Sequence, residues 1–185
     1  MPGLPDIFPE LHTQRLDLIE ITTQHLQDLY NLFTNPQVTE FYQVIPLQEP
    51  GDAQKIVGML SQRFKDKTGI RWGITPKGES HLIGTIGYNT FTRGHRSTIA
   101  FALLPEYWGK GYITEAIAAI VQFGFDVLKV NRIEAEVLPG NMASEIVLRK
   151  NGFHHEGLLR QWMLWDDTYY DINMYALLKD DMSNK

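Results

Sequence analysis

The stretch that decides the fold runs Thr98-Ile99-Ala100-Phe101-Ala102-Leu103-Leu104-Pro105-Glu106-Tyr107-Trp108-Gly109-Lys110-Gly111-Tyr112-Ile113-Thr114-Glu115-Ala116. Its first seven residues read as an apolar strand, which Pro105 stops. Gly109 and Gly111 flank a lysine, and a helical pattern opens directly behind them. Glycines adopt backbone angles that other residues avoid and let a ligand approach the main chain. Such a turn leaves the first N–H groups of the helix without partners, at the positive end of its dipole. The result is an anion site, suited to a phosphate, with Lys110 adding a point charge. The tripeptide alone also fits an ordinary strand-to-helix turn. It matches neither Gly-x-x-x-x-Gly-Lys-Ser/Thr nor Gly-x-Gly-x-x-Gly, the two common nucleotide loops.

Outward from this turn, periodicity assigns the other elements. Leu16, Leu18, Ile19 and Ile21 predict a strand over 15–21. Thr22 or Thr23 caps a helix to about Phe33, which Asn35-Pro36 ends. A helical turn through Val38, Phe41 and Tyr42 is expected to end at Pro46. An amphipathic helix is expected over 52–66, carried by Ile56, Met59, Leu60 and Phe64. Strands are expected over 71–75, 81–89 and 97–104, then a helix over 113–128 and a strand over 132–137. A helix over 141–151 follows, with Gly152 as its C′ glycine. Two last strands, 154–164 and 169–178, form a hairpin at Asp166-Asp167. The expectation is a mixed α/β fold: a mostly antiparallel sheet of about seven strands with helices on both faces. Residues 1–10 read as an irregular lead-in, 11–178 as a single domain and 179–185 as a polar tail.

Composition removes several classes of function. The chain has 185 residues, enough for one domain with a sizeable core. Without cysteine there is no disulfide, thiolate nucleophile or cysteine-bound zinc. The six histidines show no metal spacing, so no metal is expected. A net charge of −5 argues against a nucleic-acid partner and requires any polyanionic ligand to find a local positive spot. No apolar run reaches membrane-span length and no signal peptide is apparent, so a cytoplasmic protein is expected.

A second helix start lies behind strand 132–137, in Leu138-Pro139-Gly140-Asn141-Met142-Ala143-Ser144-Glu145. Asn141 reads as its N-cap and Ser144 as its third residue, a purely structural role as far as local pattern goes. In a βαβ arrangement the two helix starts fall at one sheet edge, where ligands bind. With both in hand, the stretch 11–178 resembles the GCN5-related N-acetyltransferase superfamily, abbreviated GNAT, and within it the RimJ/RimL branch of ribosomal-protein N-terminal acetyltransferases. Thr13-Gln14-Arg15-Leu16-Asp17-Leu18 resembles that branch's first strand, and Asn35-Pro36-Gln37-Val38 its helix break. Leu82-Ile83-Gly84-Thr85-Ile86-Gly87 resembles its central strand, and Tyr107-Trp108-Gly109-Lys110-Gly111-Tyr112 its pyrophosphate loop. Asn141-x-x-Ser144 with Lys150-x-Gly152-Phe153 resembles its cofactor-facing helix. The sequence departs from the superfamily pattern at four places. Trp108 stands where Gln or Arg is usual, as is common in the branch, and Ile113 takes a Gly/Ala position. Leu148 occupies the place of a frequent tyrosine acid, and Thr98 that of a frequent glutamate.

The resemblance implies acetyl transfer from acetyl-CoA to an amine. It places the pyrophosphate on Trp108, Gly109, Lys110, Gly111, Tyr112, Ile113 and Thr114, and the pantetheine along Phe101 and Leu103 and against Asn141. The Leu103 N–H would polarise the thioester carbonyl and Ser144 would protonate the leaving thiolate. Direct attack needs no protein nucleophile, in keeping with a chain that has no cysteine and no Gly-x-Ser-x-Gly elbow. The base is unassigned: Glu40, Glu136, His81 and His95 qualify by residue type, and each also fits a solvated or packing role. Trp162, Trp165, Tyr169 and Tyr170 read as acceptor-pocket walls or as sheet packing. Asp166, Asp167 and Asp171 read as an attraction for a cationic amine or as a solvated turn. Three functions stay open: acetylation of a protein N-terminus, acetylation of a small amine such as an antibiotic, polyamine or amino-acid conjugate, and CoA binding without turnover. A homodimer is compatible with all three.

Overall fold

Strand burial alternates as the pattern requires: Leu16 and Leu18 are fully buried, while Asp17 between them and Ile19 beyond them are partly exposed. The computed structural model describes residues 3–42, 47–92 and 95–182. Strands β1 (Leu11–His12) and β2 (Leu16–Glu20) lead into helices α1 (Leu26–Thr34), α2 (Pro36–Thr39) and α3 (Ala53–Lys65). A meander follows: β3 (Ile70–Pro76), β4 (Gly84–Thr92) and β5 (Arg96–Leu103). Then come α4 (Tyr112–Phe123), β6 (Arg132–Val137), α5 (Met142–Lys150), β7 (His154–Trp165), β8 (Thr168–Leu178) and α6 (Lys179–Met182).

The sheet has eight strands, in the order β1-β2-β3-β4-β5-β6-β8-β7. Only β5 and β6 run parallel. Their crossover is α4, as a βαβ unit demands. Ile117 and Ile120 of α4 and Leu148 of α5 cover one face of the sheet; Leu29 and Leu32 of α1 and Val57 of α3 cover the other. The mixed α/β architecture, mostly antiparallel with helices on both faces, agrees with the sequence expectation; among the described residues the strands number eight, the short β1 being the addition.

The lead-in is docked on the core: Leu4 is buried, and the Trp72 indole donates to the Pro9 carbonyl at 2.6 Å. Two boundaries need correction. Strand β4 starts at Gly84, not His81, because the Leu82 N–H is taken by the Asp28 carboxylate at 2.9 Å instead of a strand. The fourth helix stops its α-helical course at Phe123 and finishes as one π turn over Gly124–Leu128. There the buried Tyr88 hydroxyl donates to the Ile120 carbonyl at 2.6 Å, and a group inserted into the ladder forces the wider turn. The tail begins with the short helix α6. Pro46, the expected stop of the turn after α2, and residues 183–185 lie outside the described residues.

The 166–167 hairpin is as expected, with both aspartates at positive φ, 47° and 56°, as a two-residue primed turn requires. Edge strand β7 is tied inward over β8 by Arg132 of β6, whose NH1 donates to Glu156 at 2.7 Å. The Arg132 guanidinium holds the Glu156 carboxyl below the usual glutamate range. A depressed carboxyl stabilises the fold above its unfolded pKa, and that contribution fades as pH falls through the folded value. Glu156→Gln is therefore expected to lower the melting temperature at pH 7, with the difference from the wild type shrinking as the solution is acidified. An unchanged difference between the two proteins at both pH values would contradict this.

Candidate active site

Two helix starts and one strand end meet at a cleft of about 450 Å³. Its walls include Phe101 and Leu103 from β5, Trp108, Gly109 and Gly111 from the turn, and Tyr112, Ile113 and Thr114 from α4. Asn141 and Ser144 from the start of α5 close the opposite side. Every expected cofactor-facing residue except Lys110 is on this wall. The Lys110 ammonium instead sits 5.3 Å from the centre of the Tyr107 ring.

The turn has the form an anion requires. Gly109 and Gly111 both lie in the left-handed region, at φ 72° and 79°. Gly111 caps α4 without a side-chain hydrogen bond, so the first-turn N–H groups are left for a ligand. Trp108 is 44% exposed, yet its indole N–H donates to the Leu103 carbonyl at 2.7 Å. The tryptophan thus staples the turn to the end of β5.

Strand pairing opens at the same place. β5 and β6 pair from Arg96–Arg132 to Ile99–Ala135 and no further, although β5 continues to Leu103. On its other side β5 stays paired with β4 through Gly84–Leu103. The separation leaves the β6-facing side of residues 100–103 open, as an extended amide-bearing chain would need.

At the start of α5, Asn141 Oδ1 accepts from the Ser144 N–H at 3.1 Å. Asn141 is thus an N-cap, as its local pattern reads, and it lines the cleft as well. Ser144 is partly exposed on the same wall. Leu148, at the position of the superfamily tyrosine, is fully buried in the core and offers no proton there. Thr98 pairs in register with Glu134, which is itself buried and ion-paired to Arg96 and Arg132.

The four candidate bases are spread widely. Only Glu40 lies on the cleft wall, and it is the one carboxylate there among the described residues. Glu136 accepts from the Trp162 indole at 3.1 Å. His81 sits between Glu79 and the Tyr107 hydroxyl, outside the cleft wall. His95 stands at the opposite end of β5, where its carbonyl accepts from the N–H groups of Asn131 and Arg132. Trp162, Leu164 and Tyr169 are exposed on the β7–β8 hairpin. Asp171 is engaged, its carboxylate accepting from the Gln161 N–H at 2.7 Å. Among the described residues no group of three or more metal-ligating side chains is placed to hold a metal ion, and no helix is long and apolar enough to cross a membrane.

Sequence reading missed Arg15. Its own N–H and its Nε each donate to the Glu115 carboxylate, at 2.8 and 2.7 Å, and NH1 donates to the Lys110 carbonyl at 2.9 Å. The guanidinium also lies 4.7 Å from the centre of the Tyr112 ring. A contact across 95 residues leaves no local pattern.

Residues 15–154 match the Acetyltransferase (GNAT) domain family. The chain belongs to the GNAT acetyltransferase family. GNAT acetyltransferases draw their acetyl group from acetyl-CoA, so this is an acetyl-CoA-dependent acyltransferase. The Bacillus subtilis protein described as uncharacterized N-acetyltransferase YoaA is 37% identical over 174 residues, covering 94% of this chain and 98% of its own. The Escherichia coli ribosomal protein uS5 alanine N-acetyltransferase is 26% identical over 134 residues, 71% of this chain and 69% of its own. Mycobacterium smegmatis RimJ, solved with CoA-disulfide, superposes with a TM-score of 0.83 at 21% identity, over 98% of this chain and 91% of that one. The fold is thus that of RimJ/RimL-like GNAT acetyltransferases.

Proposed function

We propose that this acetyltransferase acts by direct attack of a primary amine on acetyl-CoA, and that the amine is the N-terminal α-amine of a protein. The observation that carries the reading is the cleft itself. An uncapped helix start, an opened strand edge and the Asn141–Ser144 corner meet in one groove. The first-turn N–H groups of α4 receive the pyrophosphate, and the open edge of β5 receives the pantetheine amides. The amine nitrogen bonds to the thioester carbonyl carbon while the Leu103 N–H takes the developing negative oxygen. Collapse breaks the carbon–sulfur bond, and Ser144 gives its proton to the departing thiolate while taking one from water behind it. The proton lost by the amine passes to Glu40, directly or through water. An α-amine with a pKa near ~8 is already partly neutral at physiological pH, so a weak base suffices.

Two things support a polypeptide acceptor. Relatives across much of the chain carry ribosomal-protein acetyltransferase names. The exposed Trp162, Leu164 and Tyr169 offer apolar surface beyond what a small amine would cover. The test is thiol release from acetyl-CoA with a panel of acceptors. Peptides with free N-termini are expected to turn over, with kcat/KM rising with pH through about 8. Turnover confined to polyamines or other small amines would overturn the polypeptide acceptor. Tight CoA binding without thiol release for any acceptor would overturn catalysis.

A further inference from the structure

We propose that Arg15 is a positioning residue for the donor's pyrophosphate, holding the turn in shape and neutralising the one carboxylate that competes for the α4 N-terminus. The inference rests on the donor placement given above. Trp108 anchors the start of the turn to β5, but the two left-handed glycines beyond it have no side-chain cap to hold them. Arg15 supplies the fixation from the opposite side: one guanidinium nitrogen holds the Lys110 carbonyl, which sits between the two glycines.

The electrostatic argument is independent. Glu115 lies in the first turn of α4. A carboxylate there interacts favourably with the helix dipole and so repels a second anion brought to the same end. Burial pushes the Glu115 carboxyl up, but hydrogen bonds from Thr13 and from Arg15 outweigh it and hold it below the ordinary glutamate range. The carboxylate is therefore ionised whenever acetyl-CoA binds. Arg15 cancels that charge with two bonds to the two oxygens, one from its backbone N–H and one from Nε. Its placement at 4.7 Å from the Tyr112 ring further fixes the guanidinium.

The test is CoA binding by calorimetry, with acetyl-CoA kinetics alongside. Arg15→Ala is expected to weaken CoA binding about tenfold and to raise the KM for acetyl-CoA by a similar factor, with kcat within about twofold. Arg15→Lys keeps a charge but loses the forked geometry, so an intermediate loss is expected; it also serves should the alanine variant fold poorly. Adding Glu115→Gln to Arg15→Ala is expected to recover at least about threefold of the lost affinity, because the uncompensated charge is gone. A purely structural clamp would make the double variant worse, and that result overturns the proposal. So does Arg15→Ala with wild-type affinity. Failure of the wild-type protein to bind CoA would instead overturn the donor placement.

Discussion

Gly84→Ala is expected to unfold this acetyltransferase about 10 °C earlier and to abolish most of its turnover. Gly84 pairs with Leu103 across β4 and β5. A methyl group on Gly84 would press into the Ala102 carbonyl oxygen and stand 3.0 Å from Leu103 Cα. Both obstacles are backbone, so no rotamer change relieves them. The strand must move, at a cost of about 3 kcal/mol, and each kcal/mol lowers the midpoint of a domain this size by about 2–4 °C. The strand that moves is the one whose end carries the Trp108 staple and the Leu103 N–H proposed to face the thioester. Turnover is therefore expected to fall further than the folded fraction. A thermal melt and a steady-state assay on the same preparation check this; a variant with wild-type melting and wild-type kcat would refute it.

Ser144→Ala is expected to lower kcat about a hundredfold while leaving the KM for acetyl-CoA nearly unchanged. A general acid of this kind contributes about 10²- to 10⁴-fold, and Ser144 is a modest one. The serine side chain plays no part in capping α5, since its backbone N–H makes that bond to Asn141. Its removal should thus leave the melting temperature in place. The rate loss should shrink with thioesters whose leaving thiol is more acidic, because a better leaving group needs no proton. Full turnover in Ser144→Ala would remove the serine from the chemistry. Asn141→Ala is a useful contrast. It removes a helix cap and is expected to cost about 1 kcal/mol of stability besides affinity for the donor.

What could be read from the sequence was what local pattern encodes. The strand–turn–helix at 98–116 carries its own punctuation in Pro105, Gly109 and Gly111, and the structure places it as read. Asn141 and the C′ glycine at 152 are likewise local signals, and Gly152 has the positive φ, 90°, that a C′ position requires. What escaped was decided by distant partners. The start of β4 shifted because Asp28, 54 residues away, takes the Leu82 N–H. The π turn follows from a tyrosine hydroxyl that arrives from β4. Arg15 looked like one more polar residue at a strand start, and only the fold brings it against the turn. At Lys110 too the detail is set by the fold: the ammonium lies over the Tyr107 ring, 5.3 Å from its centre.

The early end of β5–β6 pairing has a further meaning. A sheet normally hides its unsatisfied edges at its margins, where charges or loops guard them. Here an unsatisfied margin lies in the middle of an eight-stranded sheet, between its fifth and sixth strands. On the donor placement proposed above, acetyl-CoA would act as a removable ninth strand, closing a gap in the hydrogen-bond accounting that the polypeptide leaves open. Resting and loaded enzyme would then differ in sheet continuity, and the donor would be a folding partner for Phe101 and Leu103. The Phe101 and Leu103 amides, which face away from β4, should exchange with solvent quickly without donor and slowly with it, while those of Ala100 and Ala102, bonded to β4, stay protected throughout.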